Sequence, residues 1–167
     1  HYVVKVMAAI LGGNMSSRMF LAVREDKGLA YYISTGTEDY MDTGIFYTRA
    51  GVDVNRITDA VTAIIEEYDK IRKAEVSEAE LKKGKEFLKG KLVLSLEDSE
   101  NMAQMIARHE LLYDKAKTYN EIAKEIDAVK VSDIKRVAAE LLKDDSLYLS
   151  VIGPYADKAM FEKVLKF

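Results

Sequence analysis

The stretch LGGNMSSRMFLAVREDKGLAY, residues 11–31, reads as turn, helix, turn and strand in succession. Gly12 and Gly13 interrupt the apolar pattern that precedes them, and glycine reaches backbone angles that other residues avoid. Met15, Met19, Phe20 and Val23 then recur at helical spacing, with Asn14 or Ser16 placed to cap the first turn. Gly28, directly after Lys27, fits a left-handed C-terminal cap. From Leu29 to Thr35 the chain is rich in tyrosine and β-branched residues, which predicts a strand. Arg24 near the helix end and Tyr31 early in the strand flank this connection. A tight helix-to-strand turn can aim both at one point in space.

Outward from this stretch, Val3, Val4, Met7, Ile10 and Leu11 keep helical spacing. Residues 31–40 and 44–52 are strand candidates joined by Asp42-Thr43-Gly44, a β-hairpin. Strict alternation puts Tyr31, Ile33 and Thr35 on one face, and Tyr32 and Ser34 on the other. Asp53 or Asn55 opens a helix along Val54, Ile57, Val61, Ile64, Ile65, Tyr68 and Ile71, with Glu66, Glu67, Lys70, Arg72 and Lys73 on its solvated face. Ser77 and Glu80 form a capping box for a helix through Leu96, along Leu81, Leu88, Leu92 and Ser95. Gly84 and Gly90 either weaken it by about 1 kcal/mol each or permit close packing. Asp98 or Ser99 starts a helix with Met102, Met105, Ile106, His109 and Leu112 inward. Thr118 and Glu121 box a short helix bearing Ile122 and Ile126, and Ser132 caps another with Ile134, Val137, Ala138, Leu141 and Leu142. Leu147–Ile152 predicts a third strand, apolar on both faces, ended by Gly153-Pro154. Tyr155–Lys166 predicts a closing helix with Ala159, Met160, Val164 and Leu165 buried. The order α-α-β-β-α-α-α-α-β-α is that of an α+β fold with helices on one face of an antiparallel sheet, a single domain over 1–167.

Formal net charge is −3. There is no basic excess to hold a phosphate backbone, which counts against nucleic acid as a partner. No apolar run approaches the ~20 residues that span a bilayer, so no membrane association is expected. The chain has no cysteine, hence no disulfide framework and no thiolate zinc site, which suits a cytoplasmic protein. Gly12-Gly13 lacks the following Gly-Lys-Ser/Thr of a phosphate loop. The only histidines are His1 and His109, from which no metal motif can be drawn. His109 lies on an apolar stripe and reads as a satisfied, partly buried side chain. The chain opens with His1 inside an amphipathic pattern, as a piece of a longer protein would.

Residues 11–31 resemble the segment L-G-G-G-x-S-S-R-L-F-x-x-V-R-E-x-x-G-L-A-Y of pitrilysin- and insulinase-like (M16 family) zinc metallopeptidases. The likeness is to the C-terminal half of the catalytic unit, which does not carry the zinc ligands. It continues weakly through Glu80-Leu81 with Lys83, Leu92–Glu97, Val131–Val137 and Val151-Ile152-Gly153-Pro154. The resemblance implies an M16 peptidase-like half-domain whose further N-terminal strands are expected before His1. It implies a zinc endopeptidase whose metal is bound by an H-x-x-E-H motif in another domain or subunit, with no cofactor in this chain and no activity of this chain alone. Arg24 and Tyr31 match the family's arginine and the tyrosine seven residues later, which project toward the zinc. There they would donate hydrogen bonds to the oxyanion of the attacked peptide and to a neighbouring substrate carbonyl; losing one such donor typically costs about 10²–10³ in rate. Asn14 stands where the family has a third glycine, and asparagine tolerates left-handed angles. Arg18 and Glu25 also match and are assigned to structural ion pairing or to the contact between halves, not to chemistry. The implied partners are an N-terminal zinc-bearing M16 domain and an unfolded peptide substrate bound by strand addition. An open sheet edge can also pair with a second copy, giving a dimer. The alternative is a zinc-free partner subunit or scaffold module; a weaker one is a generic peptide-binding domain that keeps the motif for packing.

Overall fold

Helix α1 (Tyr2–Gly12) is the element on which the others pack, and Val6, Met7, Ile10 and Leu11 are buried along it. The computed structural model describes all residues, His1–Phe167. Strands β1 (Ala30–Asp39) and β2 (Gly44–Val52) form an antiparallel hairpin that lies against α1. Helices α2 (Ile57–Lys73), α3 (Glu78–Ser95), α4 (Ser99–Tyr113), α5 (Tyr119–Asp127) and α6 (Val131–Leu141) follow, and a single turn, α7 (Ala159–Glu162), comes near the end. Helix α1 contacts the sheet, α3, α5 and α6, while α2 lies on β2 and α6. The helices therefore cover one face of the hairpin, as the α+β reading predicts.

The close approaches explain the glycines. A Cβ on Gly12 would sit 2.4 Å from the Thr35 backbone nitrogen, so α1 meets β1 only because Gly12 has no side chain. Gly13 has φ −76°, an ordinary right-handed value, so these glycines serve contact and not unusual dihedrals. Gly84 plays the same part between α3 and α1, where a Cβ would lie 2.9 Å from Ile10 Cγ1; Gly90 faces open space. Beneath the sheet a hydroxyl chain ties both strands to α2. Thr35 Oγ1 and Thr48 Oγ1 are 2.8 Å apart, and Thr48 Oγ1 and the Tyr68 hydroxyl 2.5 Å. Burial pushes the Tyr68 phenol up to about 12.

Both predicted capping boxes form, at Ser77/Glu80 and Thr118/Glu121. Asp98 caps α4. Helix α6 starts earlier than expected: Asp133 accepts from the Lys130 N–H, and Ser132 lies inside the first turn. Glu67, expected on the solvated face of α2, is buried and paired with Lys70.

The C-terminal expectations fail. Tyr148–Ile152 is not a strand: its backbone makes no backbone hydrogen bond, and a strand exists only as part of a ladder. The sheet therefore has two strands, not three. The predicted helix over residues 155–166 shrinks to α7, opened by Asp157 accepting from the Ala159 N–H. Val164, Leu165 and Phe167 still pack against the core, but as irregular chain. The inward stripe predicted for α4 is only half realised. Met105 packs against the core and His109 is partly buried, whereas Met102 and Ile106 face solvent and no residue of α4 is fully buried. No helix is long and apolar enough to cross a membrane.

Candidate functional site

The helix in the 11–31 stretch is not an α-helix through its length. After Asn14, whose side-chain oxygen accepts from the Ser16 N–H at 2.8 Å, residues Phe20–Asp26 wind as a π-helix. Met15, expected on the buried face, lies in the preceding turn and is exposed, while Met19 and Val23 are fully buried. The π-helix holds one extra residue per turn, which rotates the side chains that follow and is common at functional sites. Arg24 is carried on this widened turn, near its end. Its guanidinium stacks on Phe20 at 4.6 Å from the ring centre, and its Nε lies 3.8 Å from Glu25 Oε1.

Gly28 terminates the helix with φ +57°, the left-handed cap read from the sequence. The Gly28 N–H donates to the Arg24 carbonyl at 3.1 Å, and the Leu29 N–H reaches back to the Val23 carbonyl at 2.9 Å. This clasp fixes where the strand leaves the helix. Asn14 itself has no left-handed angle, so its substitution for glycine needs no conformational tolerance.

The strand begins with an irregularity the sequence did not reveal. Ala30 pairs with Val52 and Tyr32 with Gly51, leaving Tyr31 as an extra residue in the ladder, a β-bulge. Alternation is broken there. Ile33 and Thr35 share one face as predicted, and that face is buried, but Tyr31 leaves it and is 86% exposed. Without the bulge its side chain would point into the core. Arg24 and Tyr31 consequently line one open cleft of about 540 Å³, together with Glu25, Leu29, Gly51 and Asp53. Both residues singled out from the sequence thus stand on the rim of the same concavity. The π turn and the bulge that bring them there left no signal in composition or periodicity.

Arg18 ties the start of this stretch to α3. Its Nε and Nη2 donate to the two oxygens of Glu80 at 2.8 and 3.2 Å, and the same carboxylate accepts from the Ser77 N–H in the α3 capping box. The Arg18 guanidinium, helped by the Ser77 N–H, holds the Glu80 carboxyl down at about 2. One carboxylate therefore caps α3 and anchors the segment that leads into the π-helix.

No group of three or more histidine, cysteine, aspartate or glutamate side chains gathers where it could hold a metal. His109 is partly buried and its Nδ1 accepts from the Lys117 N–H at 3.4 Å. Burial and nearby Lys5 and Lys117 push it below the usual imidazole range. His1 sits 3.6 Å from Asp39. These residues do not make a zinc site, and the larger cavity they border, about 740 Å³, is formed by α1, the end of β1, α3, α4 and α5, and shares no lining residue with the Arg24–Tyr31 cleft.

A family model described as "Peptidase M16 inactive domain" matches residues 1–88. The protein named uncharacterized zinc protease YmxG, of Bacillus subtilis, is 35% identical over 92% of this chain and 37% of its own length. The chain thus spans little more than a third of that relative. Among solved structures, a conserved protein from Enterococcus faecalis aligns at TM-score 0.71 with 27% identity, over 83% of this chain and 32% of that one. A chain of Complex III2 from Candida albicans aligns at TM-score 0.74 with 26% identity, over 83% of this chain and 35% of that one.

Proposed function

Because the chain belongs to the M16 peptidase family, as a domain of its inactive, C-terminal type, we propose that it is the substrate-binding half of a zinc-dependent endopeptidase that hydrolyses unfolded peptides. The half is a single domain over residues 1–167. The metal would be held elsewhere, in an N-terminal M16 domain of the same polypeptide or in a partner subunit, since the residues of this chain do not fit a zinc site. No chemistry is assigned to this chain through that metal. A cysteine-free composition suits a reducing compartment, and the cytoplasm is part of the same proposal.

The observation that carries the reading is the bulge that turns Tyr31 out of the core and onto the rim beside Arg24. Hydrolysis of a peptide converts a neutral carbonyl into a tetrahedral oxyanion. A phenol and a guanidinium presented at the open face of a domain can donate to that oxygen and to an adjacent substrate carbonyl as a second domain closes over them. The guanidinium is kept near its place by Phe20, and the phenol is held at the foot of a paired strand. Neither side chain supports the core, so their placement is free to serve chemistry.

A second reading is favoured by the likeness to a chain of Complex III2. M16 proteins pair with further M16 domains or subunits, and this chain would then be a zinc-free partner or scaffold. The test is Tyr31→Phe and Arg24→Ala in the intact protein with its zinc-bearing half. The peptidase reading expects kcat to fall by about 10²–10³ for either, with bound zinc unchanged. Wild-type turnover in both variants would remove the assigned roles, and a zinc-free intact assembly would leave the scaffold reading.

A further inference from the structure

The larger cavity, between α1, the end of β1, α3, α4 and α5, is about 740 Å³. Protein interiors hold few voids larger than a water molecule, and small-molecule pockets measure about 300–1,000 Å³. Its deepest lining is apolar: Ile122 and Ile126 of α5 are buried there, and Leu88 and Leu92 of α3 are half-buried. Helix α4 forms one wall and buries no residue fully. Asn101, Met105 and Arg108, spaced four and three residues apart, share the face of α4 that lines the cavity. The charges around it do not balance. Of the two acidic linings, Asp39 is taken by Lys5 at 3.4 Å and by His1, and Glu38 by Arg49 at 3.1 Å. Arg108 donates one N–H to the Asp39 carbonyl and forms no ion pair, so the rest of its fork is free. Lys89 takes Glu86 and Asp127, and the lining residue Lys91 pairs with no carboxylate. The cavity thus combines an aliphatic interior with two exposed cations that lack a counter-charge.

We propose that this cavity is a binding site for an amphipathic monocarboxylate of the medium-chain fatty-acid class, whose carboxylate is taken by Arg108 and whose alkyl chain lies against Leu88, Leu92 and Met105. The guanidinium fork matches a carboxylate in two parallel hydrogen bonds, and Lys91 adds charge of the same sign. The chain gains from leaving water along its length, by about 4-fold in affinity for each methylene buried. A ligand so placed bridges α3 and α5 to α4, the helix that holds least to the core on its own. The site shares no residue with the Arg24–Tyr31 cleft and does not depend on the peptidase reading.

The experiment titrates octanoate, decanoate and dodecanoate, each below its micelle concentration, into the intact protein by calorimetry, with dodecyltrimethylammonium as the cationic counterpart. Dodecanoate is expected to bind at one site per copy of this domain, about 10-fold tighter than decanoate, and at least 10-fold tighter than the ammonium. Arg108→Gln, at an exposed position, is expected to weaken dodecanoate about 10-fold, and Met105→Trp, which fills the cavity, to abolish binding. Bound dodecanoate should also slow amide exchange in α4 of the wild type, a readout that requires no variant to fold. Absence of saturable binding overturns the proposal. Equal affinity for the ammonium overturns the role of Arg108, and binding that leaves α4 exchange unchanged and survives Arg108→Gln places the ligand elsewhere and overturns the site.

Discussion

At the scale of single residues, the same substitution has opposite consequences at two glycines. Gly12→Ala drives a methyl group to within 2.4 Å of the Thr35 backbone nitrogen, which cannot move without shifting β1. The expected cost is about 1–3 kcal/mol, as for other overpacked contacts. Gly90→Ala meets nothing within 4 Å on an exposed turn of α3. Removing a glycine from a helix interior there should stabilise by about 1 kcal/mol. Urea unfolding of the two variants beside wild type checks both signs. Tyr31 belongs to neither class: it is exposed and unpaired in the ladder, so Tyr31→Phe should leave the unfolding midpoint unmoved while turnover collapses. This separation of stability from rate distinguishes a chemical role from a structural one.

At the scale of elements, the Glu80 carboxylate joins α3 to the segment before the π-helix, and pH can release it. Its folded pKa is depressed from an ordinary value of 4.5 to about 2. A depressed carboxylate stabilises the fold above its unfolded pKa and loses that contribution as pH falls through the folded one. Wild-type stability should therefore decline between about pH 4.5 and pH 2, and Glu80→Gln should be less stable at pH 7 with a shallower decline in that window. Glu121, also held near 2 by Thr118 and Lys115, titrates in the same range and remains in the variant as an internal reference. Denaturant midpoints across this range read the difference. The elements best read from sequence were those whose signals are local. The capping boxes at Ser77 and Thr118, the glycine cap at Gly28 and the amphipathic stripe of α2 each depend on a few neighbouring residues. The π turn at Phe20–Asp26 and the bulge at Tyr31 depend on how a helix must meet a strand in three dimensions. Periodicity therefore placed Arg24 and Tyr31 near one turn but put Tyr31 on the wrong face.

At the scale of the whole molecule, packing is uneven. Helices α1 and α2 and the buried residues of the hairpin hold the core, whereas α4 buries no residue fully and Tyr148–Ile152 has no backbone partner. Local opening follows such differences. Amide hydrogen exchange should show α4 and residues 148–160 exchanging orders of magnitude faster than α1 and α2, and uniform protection along the chain would contradict this division. The failed third strand has the same origin: Leu147–Ile152 carries a strand's alternation, but a ladder needs a neighbour, and no local pattern supplies one. The bulge has a wider consequence. In the hairpin, Tyr31 is the one residue that the pairing of β1 with β2 does not use. Mutation at that position is nearly invisible to folding. A lineage can thus lose or exchange the tyrosine while the architecture persists, so inheritance of the shape carries no guarantee of the chemistry.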